Sequence, residues 1–249
     1  MTDLLVFTDL DDTIFSSLDQ FPGRREEDLK LVSLPGQFQS SYMCERKDAI
    51  LRWMSQGARI IPVTARAKDT YDDIQIPFKH GAIVSNGALI INPDGSEDER
   101  WNQRMENELL NAREGLDMIL SEIQKFDPNG KKFFVETFTT RGHAYGMTAK
   151  ALAADAAGLN TLHKELLDNL THTRVFDFVR HNQVGKYLGF VPHSIGKAPA
   201  VKYLLDTRED FQNIPTIGCG DANTDLEFMK LCDMMMVPTE SGNGNHLLR

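Results

Sequence analysis

The sequence predicts an α/β protein: a Rossmann-like core on a parallel sheet, interrupted by an inserted α+β unit. Three observations carry this. Short apolar runs of the kind that fill a sheet covered on both faces alternate with helical patterns, beginning with residues 4–7, 59–64 and 82–85. These runs end at Asp9, Thr64 and Asn86, and ligands of open α/β sheets bind at such carboxyl ends. From Asn92 the character changes for roughly a hundred residues, the size of a small domain. The expected division is 1–91 with 193–249 as the core and 92–192 as the insertion.

Each element follows from local chemistry. Leu4-Leu5-Val6-Phe7 is the first buried strand, and Pro35-Gly36 between two short alternating runs suggests a hairpin. Residues 44–55 space apolar side chains as a helix, with Ala49, Ile50, Trp53 and Met54 inward and Gly57 as its stop. A second strand follows over 59–64, a helical turn near Lys68 and a third strand over 82–85. The insertion reads as a polar helix over 102–126, a hairpin about Arg141-Gly142, a helix over 150–170, and a hairpin of 174–179 with 187–191. The core then resumes with a helix over 198–205, Pro199 being tolerable in a first turn. A strand over 214–218, a helix from Gly220 to Leu231 and a last strand containing a packed Met234-Met235-Met236 complete it. The tail from Ser241 reads as a mobile terminus.

Composition narrows the function classes. The chain has 249 residues, 41% hydrophobic and 25% charged, which is ordinary for a globular protein. A formal net charge of −9 without a basic stripe argues against a nucleic-acid partner. Cys44, Cys219 and Cys232 form no CxxC pair and no disulfide framework, so reduced thiols and a cytoplasmic location are expected. No leader pattern and no membrane-spanning run is found, so no membrane partner is expected. Oligomeric state is left open.

The chemistry concentrates at the strand ends. Asp9, Asp11 and Asp12 follow a buried strand, where clustered carboxylates need a cation, a shared proton or open solvent. Later strand ends add Thr64, Lys197, Asp221 and Asp225. This set meets the needs of phosphoryl transfer: oxygen ligands for a hard cation from Asp9 and Asp221, and Thr64, Lys197 and backbone N–H groups near Leu10 and Ala65 for the phosphoryl oxygens. Asp9 can attack phosphorus, and Asp11, two residues on, can move the proton. Singly each has a structural alternative, Thr64 as a helix cap, Lys197 as a solvated lysine, Asp221 and Asp225 as favourable charges at a helix start. In this order and together they favour chemistry.

Asp9-Leu10-Asp11-Asp12-Thr13, Thr64, Lys197 and Gly220-Asp221 with Asp225 resemble, in order and spacing, the four motifs of the haloacid dehalogenase superfamily of phosphohydrolases. The inserted unit, preceded by Ser85-Asn86-Gly87-Ala88, resembles its type IIB cap. The resemblance implies a phosphatase of small phosphate esters, sugar phosphates first. It implies Asp9 as nucleophile, Asp11 as acid/base, and Mg2+ held by Asp9, the Asp11 backbone carbonyl and Asp221, with Asp225 in support. Ala65, Arg66 and Asn86 join as candidate substrate contacts. Two departures stand out: Ala65 where Gly is common and Asp12 where Gly or Asn is common. Residues 16–43 match nothing in the pattern. Two other readings compete. A phosphomutase needs basic cap residues, for which Arg141, Arg174, Arg180 and Lys186 are candidates, and a phospho-accepting signalling domain places its acceptor on a later strand.

Overall fold

All four residues of β1 (Leu5–Thr8) are buried, because a parallel strand lies on each side of it. A computed structural model describes residues 3–33, 40–152 and 156–239 and divides into two units, Met1–Asp98 with Gly196–Arg249, and Glu99–Ile195. The Pro35-Gly36 turn and the tail from Ser241 lie outside the described residues.

In the first unit β1 is followed by β2 (Ser16–Ser17), β3 (Lys30–Ser33), β4 (Ser41–Met43), α1 (Glu45–Ser55), β5 (Arg59–Pro62), α2 (Lys68–Asp72), β6 (Ala82–Val84) and β7 (Leu89–Ile91). The second unit holds α3 (Glu99–Phe126), β8 (Phe133–Thr140), β9 (His143–Ala151), α4 (Ala156–Leu170), β10 (Val179–Val184) and β11 (Tyr187–Pro192). The chain returns to the first unit with α5 (Lys197–Thr207), β12 (Thr216–Cys219), α6 (Leu226–Met229) and β13 (Met234–Met236). The expected α/β architecture is present: a parallel sheet in the order β13-β12-β1-β5. Val6, Leu10, Phe15, Leu51, Met54 and Ile60 form a core on it, and Val32 and Met43 from the small antiparallel sheet β2-β4-β3 complete that core.

Several local expectations are corrected. The third strand, β6, is parallel to the sheet at the Val63–Ile83 bridge, where the Thr64 N–H also donates to the Ile83 carbonyl (2.9 Å), but its longer pairing is antiparallel, with β7. In α1 the inward side chains are Leu51 and Met54, whereas Ile50 and Trp53 are exposed. Apolar residues occupy both faces of this helix, so their spacing does not select one, and the half-buried Lys47 lies on the inner stripe. Lys150 and Ala151 extend β9 rather than starting α4, because they pair with Tyr187, Phe134 and Phe133. Residues 174–178 form a tight turn, and β10 begins only at Val179. The helix expected from Gly220 shortens to α6, since Asp225 accepts the Ala222 N–H (3.0 Å) and holds the preceding residues as a turn. Met234 and Met235 are exposed rather than packed, because β13 is an edge strand.

The second unit is an antiparallel sheet, β10-β11-β9-β8, with α3 and α4. Its core joins Leu116, Ile119 and Ile123 of α3 to Leu159, Leu162 and Leu166 of α4 and to Met147, Ala149, Leu188 and Phe190 of the sheet. Arg141 and Gly142 both have positive φ (50° and 79°), as a two-residue hairpin loop of matching twist requires. Among the described residues, no helix is long and apolar enough to cross a membrane.

Candidate active site

β1 and β12 run parallel with Thr8 opposite Cys219, and the Asp9 N–H donates to the Cys219 carbonyl (2.9 Å). Asp9 and Gly220-Asp221 therefore leave the sheet side by side. On the other flank Val63 N–H donates to Thr8 O (2.7 Å), and Thr64 follows, fully buried. Lys197 is the first residue of α5, and its Nζ reaches Asp9 Oδ1 at 2.6 Å and Asp225 Oδ1 at 2.7 Å. All three side chains are buried.

Two close approaches make this possible. Gly87, at φ 89°, lies against Gly196, where an added Cβ would meet the carbonyl oxygen at 2.1 Å. A Cβ on Gly220 would meet the Asp225 Cβ at 2.4 Å. Glycine at these positions lets the 85–87 turn meet the start of α5 and lets Asp225 lie against the end of β12.

The Thr13 Oγ lies 3.2 Å from both Asp9 Oδ2 and Asp221 Oδ1. A hydroxyl has one proton to donate, so two carboxylates compete for it. Asp9, Asp221 and Asp225 each place an oxygen within 4.8 Å of the others. Burial pushes the Asp9 carboxyl up to about 7, opposed by Lys197 and reinforced by Asp225. Burial, then Asp225, raises Asp221 as well. Burial by itself would lower Lys197, but Asp9 and Asp225 more than reverse it and hold the ammonium charged.

Three carboxylates against one buried ammonium leave two negative charges when all are ionised, and every donor is a hard oxygen. That set fits a divalent cation of the Mg2+ kind. Asp225 spends one oxygen on Lys197 and the other on the Ala222 N–H, the geometry of a support.

The remaining candidates fall into a second group. Asp11 is exposed and is gripped by Arg66, through Nε to Oδ2 (2.8 Å) and Nη2 to Oδ1 (2.6 Å). The Arg66 N–H donates to Thr64 Oγ (3.1 Å), which leaves the Thr64 proton to donate elsewhere. Ala65 is exposed. Asn86 sits at φ 54°, ψ 33°, its N–H on the Thr64 carbonyl (3.1 Å). Asp12 has φ 62°, a region Asp tolerates better than most residues, so it can stand where Gly or Asn is common. Lys47 was not singled out from sequence: its Nζ donates to the Asp12 carbonyl (2.9 Å) and Ser16 Oγ (3.3 Å), beside the acidic group. An i+35 contact leaves no local signal.

No protein-family model matches the chain, and no curated protein matches it by sequence. Solved structures do match. A sucrose-phosphatase from Synechocystis sp. PCC6803, in complex with sucrose and phosphate, aligns over 100% of this chain and 96% of its own at 14% identity, with a TM-score of 0.62. A haloacid dehalogenase-like hydrolase from Bacteroides thetaiotaomicron aligns over 100% and 99% at 14% identity, with a TM-score of 0.55. The C-terminal domain of the C. albicans trehalose-6-phosphate phosphatase aligns over 92% and 73% at 14% identity, with a TM-score of 0.54. The fold of this chain is thus the haloacid dehalogenase fold.

Proposed function

We infer that the protein is a Mg2+-dependent phosphomonoester hydrolase of small phosphorylated metabolites, sugar phosphates first, working through an aspartyl-phosphate on Asp9. The observation that carries this reading is the buried Asp9 carboxylate at the end of β1, 2.6 Å from the Lys197 ammonium and grouped with Asp221 and Asp225. The shared fold with two sugar-phosphate phosphatases supports it.

Asp9, the Asp11 backbone carbonyl and Asp221 would hold the cation, with Asp225 in support. When bound, it offsets carboxylate and phosphoryl charge. An Asp9 oxygen attacks phosphorus as the bond to the ester oxygen breaks, and Asp11 gives its proton to the departing alkoxide. Asp11 then takes a proton from water, whose oxygen attacks the same phosphorus; the bond to Asp9 breaks and inorganic phosphate leaves. Lys197 keeps Asp9 ionised and aimed, and the Thr64 proton and the Ala65 N–H bind phosphoryl oxygens. We assign substrate choice to the inserted unit, 92–192, as its cap, with Asn86 a further substrate contact in the first unit.

The mutase reading needs cations to retain a second phosphate. Two of its candidates are already engaged: Arg174 Nε with Asp177 (2.7 Å) and Arg180 Nη2 with the Ile195 carbonyl (2.7 Å). The test is phosphate release from p-nitrophenyl phosphate and a panel of sugar phosphates with and without excess EDTA. Hydrolysis that stops on chelation and returns with Mg2+ is expected; full activity in EDTA would refute the reading.

A further inference from the structure

Residues 16–43 have no counterpart in the motif pattern, yet within the described parts of that segment Ser33 and Ser41 reach the reacting end of the sheet through Arg66. Arg66 has five N–H donors, and four are committed: Nε and one of Nη2 to the two Asp11 oxygens, the other of Nη2 to Ser41 Oγ (2.7 Å), and one of Nη1 to Ser33 Oγ (3.3 Å). The guanidinium also lies 5.0 Å over the Phe15 ring. Ser33 and Ser41 are directly opposite in the β3–β4 ladder, so their hydroxyls stand together, and both are buried. A register shift between Leu31 and Ser33 sets where the β3 serine is presented. Backbone contacts lock the arrangement: Gln75 N–H on the Val32 carbonyl (2.8 Å), and Ser85 N–H on the Arg66 carbonyl (2.6 Å).

We propose that the β2-β4-β3 sheet and Arg66 form a positioning device for Asp11, in which Ser33, Ser41 and Phe15 hold the guanidinium and its fork fixes the Asp11 carboxylate. The proposal rests on the hydrolase reading, since it assigns Asp11 a proton to deliver. Arg66 is thereby a positioning residue rather than the substrate contact for which the sequence makes it a candidate. A fork spent on a carboxylate cannot also make a bidentate contact with phosphate. The device answers a specific need: Asp11 lies on an exposed loop, the fork takes one lone pair of each of its oxygens, and the proton occupies a remaining lone pair of a carboxyl group held in one rotamer out of several.

The test compares kcat/KM for p-nitrophenyl phosphate, whose leaving group departs without a proton, and for glycerol 2-phosphate, whose alkoxide needs one. Arg66→Ala, and separately the double variant Ser33→Ala with Ser41→Ala, are expected to lose about tenfold or more beyond the loss on p-nitrophenyl phosphate when acting on the alkyl ester. Calorimetric binding of inorganic phosphate in Mg2+ should change by less than about twofold. The serine variant keeps Arg66 in place, so it reads the device even where Arg66→Ala fails to fold. Equal losses on both esters with weakened phosphate binding would make Arg66 a phosphate ligand and overturn the proposal; so would undiminished activity on both. Asp9→Asn, run alongside, must be inactive on both esters. Retained turnover there would sink the hydrolase reading itself, a failure separable from that of Arg66.

Discussion

Asp127 in the second unit and Asp9 in the first are both buried aspartates, and the protein treats them in opposite ways. Asp127 accepts three backbone N–H groups, from Lys131 (3.1 Å), Lys132 (2.8 Å) and Phe133 (3.0 Å), in the turn joining α3 to β8. Burial by itself would raise its carboxyl, but these donors more than reverse that and hold it low. Asp9 has Lys197 and a shared hydroxyl, faces Asp225 and Asp221, and is pushed up. A carboxylate buried for structure is given donors until it is satisfied; one buried among competing acids leaves an unbalanced field that a cation and a phosphoryl group can use. The first unit accepts that local cost at the carboxyl ends of its two interior strands, β1 and β12.

The contrast can be broken or sharpened by measurement. Asp9→Asn should lower phosphate release by more than about a thousandfold while far-UV circular dichroism stays unchanged, because the proposed nucleophilic carboxylate becomes a neutral amide of nearly the same shape. Asp127→Asn should lower the melting temperature and leave kcat/KM intact. Lys197→Met strands two buried carboxylates and should cost about 3–5 kcal/mol of stability in urea unfolding. Lys164→Ala, on the exposed side of α4 in the second unit, should stay within about 0.5 kcal/mol as a surface change.

The pH responses should differ in sign. Asp9 is raised on folding, so its contribution is fully present below the unfolded value near 3.8 and is lost as pH climbs through about 7. Asp127 is lowered, so its contribution is present above the unfolded value and is lost as pH falls through the folded one. In metal-free protein, Asp9→Asn should therefore flatten the decline in melting temperature between pH 4 and 7, and Asp127→Asn should flatten the loss below pH 4. Because protons compete with the cation for Asp9 and Asp221, the thermal shift on adding Mg2+ should be larger at about pH 8 than at about pH 6. A shift independent of pH would argue against those ligands.

By itself the sequence determined the strand ends and the order of the candidate residues along them. Asp9, Thr64, Lys197 and Asp221 stand beside short apolar runs or helix starts, and these local patterns report strand ends directly. The hairpin at Arg141-Gly142 was legible for the same reason, because its turn chemistry is local. Only the tertiary structure decided which partners meet. Thr13 reaches Asp221 across 208 residues, Lys47 reaches Asp12 across 35, and Arg66 turns to Asp11 across 55 because two serines from an unmatched segment hold it there. Periodicity gave the wrong face of α1, since apolar side chains lie on both sides and the packing of Val32, Met43 and Ile60 chooses Leu51 and Met54. Distances between side chains far apart in sequence depend on how the loops lie once the sheet has formed, and no local pattern encodes that.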